Sequence, residues 1–444
     1  MNKKGILMKD KKERKLAWRR LDNSAKIFPI AAGRKYSTVF RLSAVLRENI
    51  EHKVLEEAVK LTLEKYSSFK VRMKAGFFWY YFEENTKEPV IEEEKDYPCS
   101  YIDPRKNNGY LFKVTYFNNK INIDIFHSLT DGNSGNVFFR EIVYTYLELM
   151  HPEILNDEER RIRKIDDIEE YNTEDSYMKN YDKKAKGNSS TKKAYTLKGK
   201  YIPLAAKSVI HEIIDLKKLK ELSKEKEATI TQYLTAVLIY SIYKENYLKL
   251  NSKSQKPIKV CIPVNLKKYF PSKTMSNFFS YITVEAEMKK DKLDTFDKIL
   301  EFVKKEFKEK LSEEEIIKTM SANVKLGTNF FIRSRPLVLK KPLVRLSYME
   351  IRKYTTITYS NIGRIGIMGK YKDYIKYFLM LIAPENVEKI KCSSCTFENK
   401  MVFTFTSILK DNSIEKGFYN FLKEKGINVE IESNGVLDDI SKKN

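Results

Sequence analysis

The chain has 444 residues, 42% of them hydrophobic and 32% charged, a composition that builds packed cores and excludes a disordered tail. Its 83 Lys and Arg against 60 Asp and Glu leave a net charge of +23, but Lys and Glu are interleaved as on solvated helix surfaces, and no zinc-finger, RNP or GxxG pattern converts that charge into nucleic-acid recognition. Four cysteines exclude a disulfide framework, no run approaches the roughly 20 apolar residues of a membrane span, and charge at residues 9–12 interrupts any secretory h-region, so the expectation is a cytoplasmic protein of two domains.

Taken in chain order, residues 46–66 place Leu46, Ile50, Val54, Ala58 and Leu61 on one face with Leu55, Val59 and Leu63 beside it, which predicts an amphipathic helix. The aromatic run 77–82 predicts a strand. Residues 111–117 and 121–126 predict a hairpin turned at Asn118 and Asn119, and Ile121, Ile123 and Ile125 alternate with Asn122 and Asp124, so one face is buried. At residues 135–150 the apolar period becomes helical. A strand therefore runs through the polar loop His127, Ser128, Leu129, Thr130, Asp131, Gly132 into a helix.

The polar stretch 161–200 predicts a linker between an N-terminal domain, 1–160, and a C-terminal one, 201–444. Beyond it the patterns predict a long helix at 216–247, a strand at 259–264 and a Lys/Glu-rich helix at 295–318. A partial helix at 337–346 should end or kink at Pro342, and strands are expected at 355–359, 366–367 and 402–407. With no repeat period, both halves read as α+β.

His127 is one of four histidines, and a chance HxxxDG is expected on the order of 0.01 times in such a chain. It stands where a hydrophobic strand opens into a polar loop, a place that holds a side chain on rigid elements yet leaves it within reach of substrate. An imidazole titrating near pH 6.5 can take a proton from a hydroxyl, amine or thiol attacking a carbonyl. Asp131 can brace the loop, and Gly132 supplies a positive backbone angle or a close approach. Cys392 and Cys395 form a CxxC with no second ligand pair, so no metal site is expected.

The loop HSLTDG resembles the HxxxDG signature of the thioester-dependent acyltransferase superfamily, which includes chloramphenicol acetyltransferase, peptide-synthetase condensation domains and alcohol acetyltransferase-like enzymes. Residues 18–29 (WRRLDNSAKIFP) resemble the opening of the alcohol acetyltransferase-like branch, and 66–72 (YSSFKVR) the stretch after its first helix. Residues 262–278 (IPVNLKKYFPSKTMSNF) are similar to its PVxLR segment with a later Asn-Phe, and 360–364 (SNIGR) to its SNxG strand end.

The resemblance implies two similar chloramphenicol acetyltransferase-like domains, each a mixed sheet covered by helices, with a tunnel between them. It makes His127 the general base, Asp131 the acid that organises the loop and Gly132 its turn. Lys267, which replaces the family's Arg, and Arg364 are candidate partners for Asp131. Ser360 and Asn361 are candidates for substrate contact or the oxyanion. The implied reaction moves an acyl group, acetyl above all, from acyl-CoA to an alcohol or amine, with no bound cofactor. The net positive charge suits anionic groups on such a donor, or an acidic acyl carrier protein as partner. The alternative is an idle condensation-like protein that binds an acyl carrier or acyl ligand, although idle versions of a fold usually lose the base.

Overall fold

The computed structural model of the protein describes residues 17–33, 36–155, 158, 171–185, 192–203, 206–249 and 256–442. Two mixed sheets covered by helices carry the architecture, beside a small three-stranded one. The five-stranded sheet has the order Ile375–Ile382, Val39–Leu46, Lys120–Phe126, Phe112–Phe117, Ile91–Glu93. The seven-stranded sheet runs Phe279–Ala286, Ile258–Asn265, Ile357–Arg364, Ile390–Phe397, Lys400–Ser407, Ser208–Asp215, Val429–Ser433. This is the expected α+β class.

One strand of the five-stranded sheet comes from far along the chain: Ile375–Ile382 lies antiparallel to Val39–Leu46. Its sequence IKYFLMLI is almost unbroken in apolarity because both faces are covered. Phe378 and Met380 enter the core shared with the helices His52–Lys65 and Gly132–Met150, while Tyr377, Leu379 and Leu381 pack on Val209, Ile213 and Val402 of the other sheet. This strand welds the two sheets together.

Local chemistry explains where elements differ from expectation. Leu46 ends a strand, and the helix starts only at His52, burying Leu55, Ala58, Val59 and Leu63 and leaving Leu61 exposed. In the aromatic run only Tyr80 onward is strand. Phe77 and Phe78 are exposed at the tip of the hairpin Val71–Ala75/Tyr80–Glu84. The hairpin Phe112–Phe117/Lys120–Phe126 turns on Asn118, whose φ is +49°, a conformation Asn tolerates.

The helix expected at 216–247 divides into Leu216–Glu225 and Ile230–Ile242, because Thr229 and Gln232 form a reciprocal capping box that starts a new helix. The one expected at 295–318 divides into Phe296–Lys310 and Glu313–Thr328. Helix Leu337–Arg352 continues through Pro342 instead of ending there, and Gly366 and Ile367 lie outside any strand. Of the expected linker, residues 161–170 and 186–191 lie outside the described residues. The described remainder holds the short helix Ser176–Asn180, and Tyr177, Tyr195 and Leu197 are buried in the core of the seven-stranded sheet.

Candidate active site

Strand Lys120–Phe126 ends at His127, whose backbone N–H donates to the Thr38 carbonyl at 2.9 Å. The loop that follows is stapled to residues 272–279, which lead into the edge strand of the other sheet. Thr130 Oγ1 donates to the Met275 carbonyl at 2.7 Å, and the Phe278 N–H donates to Asp131 Oδ2 at 2.9 Å. A third segment closes from the N-terminal side, where Ser128 Oγ donates to the Ala25 carbonyl at 3.2 Å. His127 therefore sits where both halves of the chain meet.

The imidazole is half-buried in an aromatic frame. Phe28 stacks on it with ring centroids 4.6 Å apart, while Phe40 and Phe279 each approach at 5.3 Å. Its Nδ1 lies 3.1 Å from Asn277 Oδ1. The Asn277 amide has only one orientation open to it, because its Nδ2 donates to Asp22 Oδ2 at 3.0 Å, and its backbone N–H donates to the same oxygen at 3.1 Å. A carboxylate only accepts, so the amide nitrogen must face Asp22 and the amide oxygen must face His127. Asp22 Oδ1 in turn accepts from the Ala25 N–H at 2.8 Å and from Ser24 Oγ at 3.0 Å.

The chain Asp22–Asn277–His127 thus assigns the Nδ1 proton to the Asn277 bond and leaves Nε2 as the lone-pair nitrogen. Burial pulls the His127 pKa below its ordinary 6.5, against the raising effects of its own carbonyl, Asp131, Asn277 and Asp22, so the neutral form is favoured at neutral pH. Burial also raises Asp22 above the usual carboxylate range, opposed by its donors Ala25, Asn277 and Ser24.

Asp131 caps the helix Gly132–Met150 through Oδ1, which accepts from the Ser134 N–H at 2.9 Å, and spends Oδ2 on Phe278. Its bonded partners are thus backbone amides. Of the two expected cations, Lys267 Nζ donates to Ser134 Oγ at 3.0 Å, and the exposed Arg364 lies 3.6 Å from Glu398. Gly132 is not among the positive-φ residues. It contributes closeness instead, since a Cβ there would stand 3.4 Å from Ile362 and 3.5 Å from Met380. The same contact brings the 360–364 strand end against the loop. Ser360 is buried beside Ser393 on the parallel neighbour strand. Asn361 is spent locally, its Oδ1 accepting from Gly363 N–H at 2.8 Å and its Nδ2 donating to Thr231 Oγ1 at 3.1 Å.

Asn277, Asp22, Phe28 and Phe279 were not singled out by sequence reasoning. Their signal was present, because Asp22 and Phe28 lie within WRRLDNSAKIFP and Asn277 is the Asn of the later Asn-Phe. Cys392 and Cys395 are both buried on Ile390–Phe397, three residues apart and hence on opposite sheet faces, Cys392 in one core and Cys395 in the other. They cannot converge on one ligand.

No curated protein matches the chain in sequence. Solved structures match it in fold over nearly its whole length. Polyketide synthase associated protein 5 from Mycobacterium tuberculosis is 12% identical with a TM-score of 0.55, covering 91% of this chain and 97% of that one. TRI3 trichothecene 15-O-acetyltransferase from Fusarium sporotrichioides is 8% identical with a TM-score of 0.58, covering 93% and 95%. F. graminearum TRI101, solved with coenzyme A and deoxynivalenol, is 12% identical with a TM-score of 0.58, covering 92% and 97%. In sequence, the alcohol acetyltransferase family matches residues 111–364, a span that opens just before the hairpin leading to His127 and closes on the SNIGR strand end. The chain belongs to the alcohol acetyltransferase family.

Proposed function

We propose that the protein transfers an acyl group, acetyl above all, from a coenzyme A thioester to an alcohol, with an amine as the other acceptor class, and that His127 is the general base. The observation that carries this reading is the Asp22–Asn277–His127 chain, which presents a neutral, Nε2-basic imidazole at the junction of the two halves. The family match and the fold shared with the coenzyme A complex of TRI101 support the donor class. Among the described residues no helix is long and apolar enough to cross a membrane.

In this mechanism Nε2 takes the acceptor hydroxyl proton as its oxygen bonds to the thioester carbonyl carbon. The tetrahedral intermediate then collapses, the carbon–sulfur bond breaks, and the imidazolium returns the proton to the departing thiolate. Positioning of the two substrates supplies most of the acceleration, on the order of 7–11 kcal/mol in well-oriented systems. Asp131 holds the loop by backbone bonds. Ser360 remains a candidate for substrate contact, and an acyl carrier protein is the alternative donor.

The test is free-thiol release from acetyl-CoA with a panel of alcohols and amines, comparing wild type with His127→Ala. Acceptor-dependent release should fall at least about a hundredfold in the variant, with cooperative unfolding retained. Equal activity in the variant refutes the base assignment. No release with any acceptor refutes the coenzyme A donor and turns the question to carrier-bound thioesters or an idle binding protein.

A further inference from the structure

Helix Leu337–Arg352 lies on the surface with an apolar stripe turned outward. Val338 is 77% exposed, Leu339 62%, Leu343 67% and Leu346 64%, and the neighbouring hairpin tip adds Phe77 at 71%. Tip and helix form one surface, because the Leu337 N–H donates to the Phe77 carbonyl at 2.8 Å and the Lys340 ammonium sits 3.6 Å over the Trp79 ring. Scattered exposed leucines need no explanation, but five large apolar side chains on one face, each more than 60% exposed, mark an interaction surface.

Charge selects the partner. Arg333, Arg335 and Arg345 border the stripe, are exposed, and form no ion pair among the described residues. The helix's one acid, Glu350, is neutralised by Lys193 at 2.8 Å and Lys353 at 2.6 Å. The face is apolar at its centre, cationic at its edge and free of uncompensated acid. Its apolar groups project outward from one helix and the hairpin tip beside it. A fluid anionic lipid surface accepts such a face, burying the stripe among acyl chains while the arginines meet phosphates.

We propose that Leu337–Arg352 and the Phe77 hairpin tip dock the protein on an anionic lipid bilayer. The same helix packs on the turn Phe28–Ala31, whose Phe28 ring stacks on His127. Docking therefore holds His127 close beneath the membrane-facing surface, which suits a lipophilic acceptor. This last step rests on the acyl-transfer reading, whereas the docking does not.

The experiment is co-sedimentation of the full chain with vesicles of phosphatidylcholine, with and without phosphatidylglycerol. Wild type should sediment with the anionic vesicles and less in high salt, and L343E/L346E should partition at least about tenfold more weakly. Both side chains are exposed, so the variant should keep the wild-type thermal midpoint and its thiol release with a short soluble alcohol. Absence of that release in wild type and variant alike would undo the coenzyme A-dependent transfer reading and leave docking standing. Failure of wild type to sediment with anionic vesicles overturns the proposal. So does a wild-type dimer in sedimentation velocity, or binding to an acidic acyl carrier protein, that L343E/L346E abolishes while vesicle binding is unchanged.

Discussion

Asn277→Ala isolates what the buried relay contributes. In the wild type the Asn277 amide is fully buried and joins His127 Nδ1 to Asp22 Oδ2. Truncation leaves the imidazole without the acceptor that fixes its proton at Nδ1, and a proton that moves to Nε2 removes the base. In the reaction His127 becomes an imidazolium, so the bond to Asn277 turns from neutral to charge-assisted as the proton arrives. Such bonds contribute about 1.5–3 kcal/mol. The neutral bond already present in the ground state contributes about 0.5–1.5 kcal/mol, so the differential of about 1–1.5 kcal/mol, at 1.36 kcal/mol per decade, predicts a kcat about 5- to 13-fold lower. Stability should fall less, because Asp22 keeps its bonds from Ala25, Ser24 and the residue-277 backbone.

The assay is steady-state thiol release, with kcat and KM for acetyl-CoA measured separately. A lowered kcat at nearly constant KM is the expected outcome, since Asn277 orients the base and does not hold the donor. Asp22→Asn tests the same logic without touching either neighbour. Where its new amide nitrogen takes the Oδ2 position it faces two donors, and the Asn277 side chain turns its NH2 toward His127 and selects the wrong tautomer. If Asn277→Ala keeps kcat within about twofold while its Tm drops, the relay only packs the core and the tautomer argument is refuted.

Because the protonated base is inactive and burial lowers the His127 pKa, the acid limb of kcat/KM should lie below pH 6.5, and a limb at or above that value would contradict the burial argument. Glu415 is buried beside a cavity of about 220 Å³ that Glu212 also lines, and Oε2 of Glu415 and both oxygens of Glu212 have no bonded partner among the described residues. Burial raises Glu415 from 4.5 to about 7, so native stability is full below about pH 4.5 and is lost as pH rises through 7. Glu415→Gln should therefore stabilise the protein by up to about 3 kcal/mol at pH 8 and by almost nothing at pH 4.5, read from denaturation midpoints. A Cβ at Gly135 would meet Ile125 Cδ1 at 3.0 Å and Phe40 Cζ at 3.2 Å. Gly135→Ala should thus lose stability, since overpacking at about 1–3 kcal/mol outweighs a helix-propensity gain of about 1 kcal/mol. It should also lower kcat by displacing Phe40 from the His127 ring, which thiol release would report.

The parts of the fold legible in the sequence were those whose periodicity is local. The hairpin around Asn118 and the strand-to-helix switch at His127 show their alternation directly, because one face is wet and one dry. Ile375–Ile382 was not predicted as a strand, since its pairing with Val39–Leu46 across more than 300 residues leaves no local trace. Leu46 and Ile50 fall on the helical face by spacing, yet Leu46 is held in the sheet by pairing with Ile375, so tertiary structure overrode a pattern the eye extends.

At the site, the sequence marked the residues that are rare and missed the one that positions them. HSLTDG stands out because histidine is scarce and Asp-Gly follows it, whereas Asn277 is one amide among many in a polar loop. Its role exists only because three segments converge: Asp22 from the N-terminal side, His127 from the strand end and Asn277 from ahead of Phe279–Ala286. The bonds that hold Asp131 come from the backbone for a related reason. A carboxylate at a helix start is already served by the free N–H groups there, and the Phe278 amide reaches its other oxygen, so no cation is needed to hold the loop. Charge complementarity read along a chain finds possible partners, but the backbone, which every sequence shares and no sequence displays, supplies a donor to each Asp131 oxygen.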